Sequence, residues 1–324
     1  MTELQDKAAE PRDTRRRTVE IDFIKAVMII LMIAFHLVFI GDTYPYAKQL
    51  VYTFHMPAFL IISGYMLNTG RSLRRYLLTL LWIFIPYTVM EGGYTLMASL
   101  LSIREHVDNL TIGLLAEKIF LHPLGPYWYL HTLMLCGLSC FFVFRLPRLQ
   151  LLPRIILLAL CYVFLSRCLH VVSLSCTLYF MAGAVLRHSG IPFLSFFRPS
   201  LLSAVPFVLI ACTPACLDKS VPGGVAMVYF AMSLCLVLFG YCRGVVLRAM
   251  LFIGRNTLVL LLFSPVFTVL AKIYQPALLR IEHTGMLFLA VSLAFAVAGC
   301  MLIAAIMDRL GISRFFFGKA KVLQ

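Results

Sequence analysis

Apolar runs of about twenty residues, separated by short polar or basic stretches, fill the chain from near residue 20 to near residue 308. A run of that length crosses a bilayer as a helix rising 1.5 Å per residue. The pattern predicts ten spans, at about 20–41, 48–68, 74–100, 127–145, 152–169, 171–187, 201–217, 224–241, 252–272 and 284–308. The fifth and sixth are the least separated, with only the stretch around Ser166, Arg167 and His170 between them. The expected fold is therefore an all-α, polytopic transmembrane bundle of about ten spans. A charged cytosolic tail over 1–17 precedes the membrane domain of 18–312, and a short basic tail over 313–324 follows it.

The basic residues alternate between the two sides of these spans. One set of connections holds Arg15, Arg16 and Arg17, then Arg71, Arg74 and Arg75, Arg145 and Arg148, Arg187 and Arg198, Arg243 and Arg248, and finally Arg309, Arg314, Lys319 and Lys321. The other holds Lys48, Arg104, Lys118, Arg167, Lys219, Lys272 and Arg280. The richer set marks the cytosolic face, so the expectation is an even number of spans with both termini in the cytosol.

Composition agrees: 61% hydrophobic and 13% charged residues exclude a soluble enzyme. A net charge of +14 would suggest nucleic acid in a soluble chain, but here topology accounts for it, and no nucleic-acid partner is expected. The stretch from Met1 to Arg17 lacks the apolar core and cleavage site of a signal peptide. The ten cysteines, among them Cys136, Cys140, Cys161, Cys168, Cys235 and Cys300, show no CxxC spacing. They read as small packing residues, and no metal site is expected.

The first span carries ionisable groups where they are costly. Lys25 and His36 are eleven steps apart, which at about 100° per residue brings them within about 20° on the helix wheel and about 16 Å apart along the axis. Asp22 lies one turn before Lys25, in pairing range. Such a stripe within a membrane is a candidate functional site. The alternative is an interfacial Lys25 neutralised by Asp22. His36 lies deeper, and its imidazole is the side chain most easily poised near neutral pH.

In the second span, Pro57 frees a backbone carbonyl beside His55, and Ser63-Gly64-Tyr65 follows. Taken alone, these residues read first as a structural kink at Pro57, a close helix contact at Ser63-Gly64 and a hydrogen-bonded core histidine at His55. Glu91 is a buried acid in need of a partner. Trp128 and Tyr129 open the fourth span after Gly125-Pro126, where an aromatic belt is the alternative, and His131 follows in the same turn. Gly254-Arg255-Asn256-Thr257 opens the ninth span, with Asn256 or Thr257 able to cap it.

Asp22, Lys25 and His36 resemble the first-span motif of the membrane-bound acyltransferase 3 family, in which a basic residue precedes a histidine. The segment from Phe54 to Tyr65 looks like that family's F-x-M-P-x-F-x-x-x-S-G-Y signature. Arg71-Ser72-Leu73-Arg74 with Pro86-Tyr87, Trp128-Tyr129-Leu130, Tyr179-Phe180-Met181-Ala182-Gly183 and Gly254-Arg255-Asn256-Thr257 are similar to its later signatures, in order, over about residues 18–310. Many relatives carry an aromatic and a histidine in the ninth span, where this chain reads Leu261-Leu262-Phe263-Ser264-Pro265.

The resemblance implies an O-acyltransferase of a bacterial inner membrane that moves an acyl group, acetyl in most relatives, from acyl-coenzyme A to a hydroxyl of a carbohydrate or envelope glycan. Acyl-coenzyme A is a co-substrate, and no bound cofactor is expected. The catalytic set is then His36, Lys25 and Asp22, with His55, Ser63, Tyr65, Glu91, Trp128 and His131 toward the substrate. Arg71, Arg74, Arg75 and Arg255, on the cytosolic side, suit the phosphates of the donor. A histidine serves either as general base toward the hydroxyl or as carrier of the acyl group, and the sequence leaves both open. Membrane lipids surround the bundle, and self-association into a homo-oligomer is left open. The competing class is a secondary transporter, which also uses buried ionisable residues beside a broken helix.

Overall fold

The computed structural model describes residues 18–100 and 106–324; the arginines at 15–17 and Arg104 lie outside the described residues, as does the 1–17 tail. In chain order the helices are α1 (Val19–His36), α2 (Val38–Thr43), α3 (Pro45–Met66), α4 (Leu73–Leu100), α5 (Ile112–Phe120), α6 (Trp128–Phe144), α7 (Leu151–Val163), α8 (Leu174–His188), α9 (Phe193–Phe196), α10 (Ala204–Ala211), α11 (Pro222–Tyr241), α12 (Gly244–Arg255), α13 (Thr257–Ile281), α14 (Met286–Arg309) and α15 (Ile312–Phe316). No strand occurs among the described residues. Among the described residues six helical stretches are long and apolar enough to cross a membrane: Leu73–Leu100, Ile112–Phe144, Leu151–Cys168, Pro222–Tyr241, Thr257–Ile281 and Met286–Arg309.

The two remaining long helices, α1 and α3, carry most of the polar chemistry. They sit inside the bundle, α1 against α3, α11, α12 and α13, and α3 against α8 and α11. Enclosure by other helices is what lets α1 keep Asp22 and Lys25 out of lipid.

Several elements depart from the expected spans for local reasons. The first span breaks at Leu37, whose extended backbone (φ −68°, ψ 110°) ends α1 directly after His36. The expected span at 201–217 contains α10, only about 12 Å long by its rise and well short of a bilayer's hydrocarbon core of about 30 Å. Pro214 stops it, because the residue before a proline avoids the helical region and Thr213 is extended (φ −111°, ψ 97°). The expected ninth span is two helices, α12 and α13, divided at Asn256 (φ −107°, ψ 24°). Asn256 makes no cap bond to α13. Its amide instead donates to Phe252 O at 2.8 Å and its Oδ1 accepts from Gln324 N at 3.1 Å. Segment 313–324 is folded back on the bundle, with Asp308 accepting from Ser313 Oγ, Val322 N and Leu323 N.

The closest helix packing is between α3 and α8. A Cβ on Gly64 would collide with the carbonyl oxygen of Phe180, and one on Gly183 with that of Ile61. Small residues let transmembrane backbones approach in this way, where lipid offers no hydrophobic drive toward association. Gly183→Val should therefore lower the melting temperature in detergent, at a cost of about 1–3 kcal/mol from overpacking. Gly240, in α11 with open space around its α-carbon, is the control. Gly240→Ala should hold or raise the melting temperature, since alanine is the better helix former by about 1 kcal/mol.

Candidate active site

One face of α1 lines an internal path. Lys25, Ile29, Met32 and His36 recur at helical spacing, and all of them border cavities. The inner cavity, about 360 Å³, is bounded by Lys25, Ser63, Asn68, Arg71, Tyr129 and Thr257 among others. The outer cavity, about 560 Å³, is bounded by His36, Lys48, Tyr52, His55, Trp128, Asp218 and Lys219 among others. Met32, Met56 and Leu261 belong to both walls, so an apolar partition of three flexible side chains divides the cavities.

At the inner end, Lys25 Nζ lies 2.8 Å from Asp22 Oδ1, and Arg255 Nε lies 3.9 Å from Asp22 Oδ2. The carboxylate is 3% exposed, so it needs these cations. Gly254 is what brings Arg255 there, because any side chain at 254 would strike the backbone of Asp22. The Gly-Arg pair is thus the junction between α12 and α1.

At the outer end, His36, Tyr52 and His55 form a row, with ring centroids 6.0 Å and 5.1 Å apart, and Lys48 Nζ lies 5.9 Å from the centre of the Tyr52 ring. His36 Nδ1 lies 2.7 Å from Met32 O, and His55 Nδ1 lies 2.8 Å from Val51 O. A carbonyl only accepts, so in each ring Nδ1 carries the proton and a neutral ring keeps the Nε2 lone pair. His55 Nε2 is buried with no protein hydrogen bond. Tyr52 donates to Phe35 O at 3.3 Å, satisfying a carbonyl released where α1 ends. Pro57 and Pro265 lack the N–H groups that would bond the carbonyls of Thr53 and Leu261 in regular helices, and both of those residues border the outer cavity.

The sequence comparison covers all of these elements: the family model for an acyltransferase domain matches residues 18–305. The chain belongs to the acyltransferase 3 family. No curated protein and no solved structure is significantly similar to it.

Seen as a membrane acyltransferase, the chain brings some of the candidate residues together and leaves others apart. Lys25, Ser63 and Arg71 border the inner cavity, and His36, His55 and Trp128 the outer one. Ser63 Oγ is 2.8 Å from the Tyr129 hydroxyl. Arg74 and Arg75 border neither cavity, and Arg255 acts on Asp22. Tyr65, Glu91 and His131 also lie outside both. The Tyr65 hydroxyl accepts from Phe193 N at 3.1 Å under the Arg187 guanidinium. Glu91 Oε1 accepts from Leu124 N at 2.6 Å and so anchors the loop leading to α6. His131 Nε2 donates to Phe120 O at 2.9 Å, tying α6 to the end of α5.

In the acyltransferase's α13, Leu261 stands at the partition, and no histidine of that helix reaches either cavity. Sequence reasoning missed Tyr52, Asp218 and Lys219. Tyr52 was discoverable, since Lys48, Tyr52 and His55 recur at helical spacing. Asp218 and Lys219 sit in a loop with no periodic signal.

The buried ion pair predicts a stability signature. Lys25→Met removes the nearer cation from a buried carboxylate and should destabilise the acyltransferase by about 3–5 kcal/mol. Adding Asp22→Asn should recover most of that loss, because no charge is then stranded. The check is a comparison of melting temperatures in detergent, and equal values for Lys25→Met and wild type would mean that the pair carries no stability.

Proposed function

We propose that the protein is an O-acyltransferase of a bacterial inner membrane that passes an acyl group, acetyl first among them, from acyl-coenzyme A to a hydroxyl of a carbohydrate or envelope glycan. The observation that carries this reading is the pair of cavities meeting end to end at Met32, Met56 and Leu261. One holds cations on the side rich in arginine, and the other is bordered by two imidazoles whose Nδ1 atoms are engaged by the backbone. In this reading the ten apolar segments, the short one at Leu201–Ala211 included, traverse the membrane and both termini lie in the cytosol, where coenzyme A thioesters are made.

The donor's phosphates engage Arg71 at the inner mouth and its long thiol arm runs toward the partition. Lys25 stays with Asp22 and shapes the wall. The acceptor hydroxyl sits at His36 Nε2, which takes its proton as the oxygen attacks the thioester carbonyl. The tetrahedral adduct collapses, the C–S bond breaks, and the imidazolium returns the proton to the departing thiolate. Atoms balance with no further reactant. A route through an acyl-histidine splits the same transfer into two steps. His55, one ring beyond Tyr52, borders the same cavity.

Purified protein in nanodiscs with acetyl-coenzyme A should release free thiol only when a hydroxyl acceptor is present. Gradient-driven uptake without thioester loss would replace this reading with the transporter one. His36→Ala should reduce transfer by about 10²–10⁴-fold, the range of a general base, while leaving the melting temperature near wild type. Arg71→Gln should raise the donor KM by about tenfold with a smaller effect on kcat, because it touches a part of the donor remote from the reacting carbonyl. Arg74→Gln and Arg75→Gln should change the donor KM less. A His36→Ala variant with normal turnover, or a donor KM insensitive to Arg71, would remove each residue from its role.

A further inference from the structure

The outer cavity does not end at Lys219. That side chain also borders a third cavity, about 610 Å³, between α8, α11 and the turn Phe164–Cys168. Its polar wall is Arg167, Lys219 and the hydroxyl-bearing Ser166, Ser173, Ser175 and Ser220. Among the described residues no carboxylate borders it. Its apolar wall includes Leu178 and Val225, which are 42% and 51% exposed on the outside of the bundle. The cavity therefore has a cationic, hydroxyl-rich wall, exposed at Arg167, Ser173 and Ser220 and half-buried at Lys219, beside an apolar outer surface.

Two further observations point to a ligand. Arg167 has no hydrogen bond or ion pair among the described residues, and the Lys219 ammonium rests 5.6 Å over the Trp128 ring without a carboxylate partner. Finally, Phe164–Cys168 is a π-helical turn, a rare form that concentrates at functional sites, and it supplies both Ser166 and Arg167.

We infer that this third cavity binds a phosphate group of the acceptor, gripped by Arg167 and Lys219, while the acceptor's sugar extends past Lys219 and Trp128 to His36. The inference rests on reading the outer cavity as the acceptor's. A planar guanidinium, an ammonium and serine hydroxyls are the donor set that phosphate oxygens take. Trp128 offers an apolar face to a sugar ring between the two ends. The phosphate belongs either to a lipid anchor lying along Leu178 and Val225 or to a soluble sugar phosphate.

Direct binding tests this without any acyl transfer, so its outcome is separate from that of the thioester assay. The protein, carrying Trp82→Phe so that Trp128 is its only tryptophan, is reconstituted in neutral phosphatidylcholine nanodiscs and titrated while Trp128 fluorescence is followed. The probes are monododecyl phosphate, glycerol 3-phosphate and the neutral amphiphile dodecyl maltoside. Monododecyl phosphate is expected to give a saturable change, with Kd raised at least tenfold by Arg167→Gln or Lys219→Gln and largely restored by Arg167→Lys. Glycerol 3-phosphate binding as tightly would support the phosphate site and assign it a soluble ligand. Arg280→Gln, which removes an exposed cation bordering none of these cavities, should leave Kd unchanged. Equal binding of dodecyl maltoside, no effect of the Arg167 and Lys219 substitutions, or an equal effect of Arg280→Gln would overturn the assignment.

Discussion

A buried carboxylate sets the terms for the inner half of the bundle. Asp22 is almost without solvent, and an unpaired charge there would cost several kcal/mol, so Lys25 must stay at its side and Arg255 must come within reach. Reaching it requires Gly254, since α12 cannot otherwise approach α1. The ion pair also keeps Lys25 on the face that continues through Met32 to His36. One electrostatic need thus orients α1 and seats α12, and with them it positions the inner end of the path.

The outer half is organised by the backbone. α1 ends directly after His36, α3 carries Pro57, and α13 carries Pro265. In a membrane protein such interruptions survive where side chains or a wet cavity satisfy the released groups. Tyr52 supplies one such contact, to Phe35 O. In both imidazoles Nδ1 is held by a carbonyl of its own helix, which fixes the ring.

Much of the site was legible because helices translate spacing into direction. Lys25 and His36 share a face by arithmetic alone, and Asp22 falls in pairing range of Lys25. Glu91 and His131, expected toward the substrate, border neither of the two cavities. A buried polar residue signals the need for a partner without naming it, and here Glu91 Oε1 accepts from Leu124 N while His131 Nε2 donates to Phe120 O. Arg74 and Arg75 follow the charge rule that also governs topology, and spacing could not separate them from Arg71.

Hydropathy by itself determined the all-helical membrane class, because the hydrocarbon core demands apolar helices of a set length. The motifs by themselves determined the family and the stripe on α1. Only the tertiary structure decided that two cavities meet at Met32, Met56 and Leu261, since those residues come from three helices far apart in sequence. It also decided that Lys219, a loop residue without periodic signal, stands beside Trp128 and borders the outer cavity. Periodicity specifies which way a residue points from its own helix, whereas what it meets there depends on how the other helices pack.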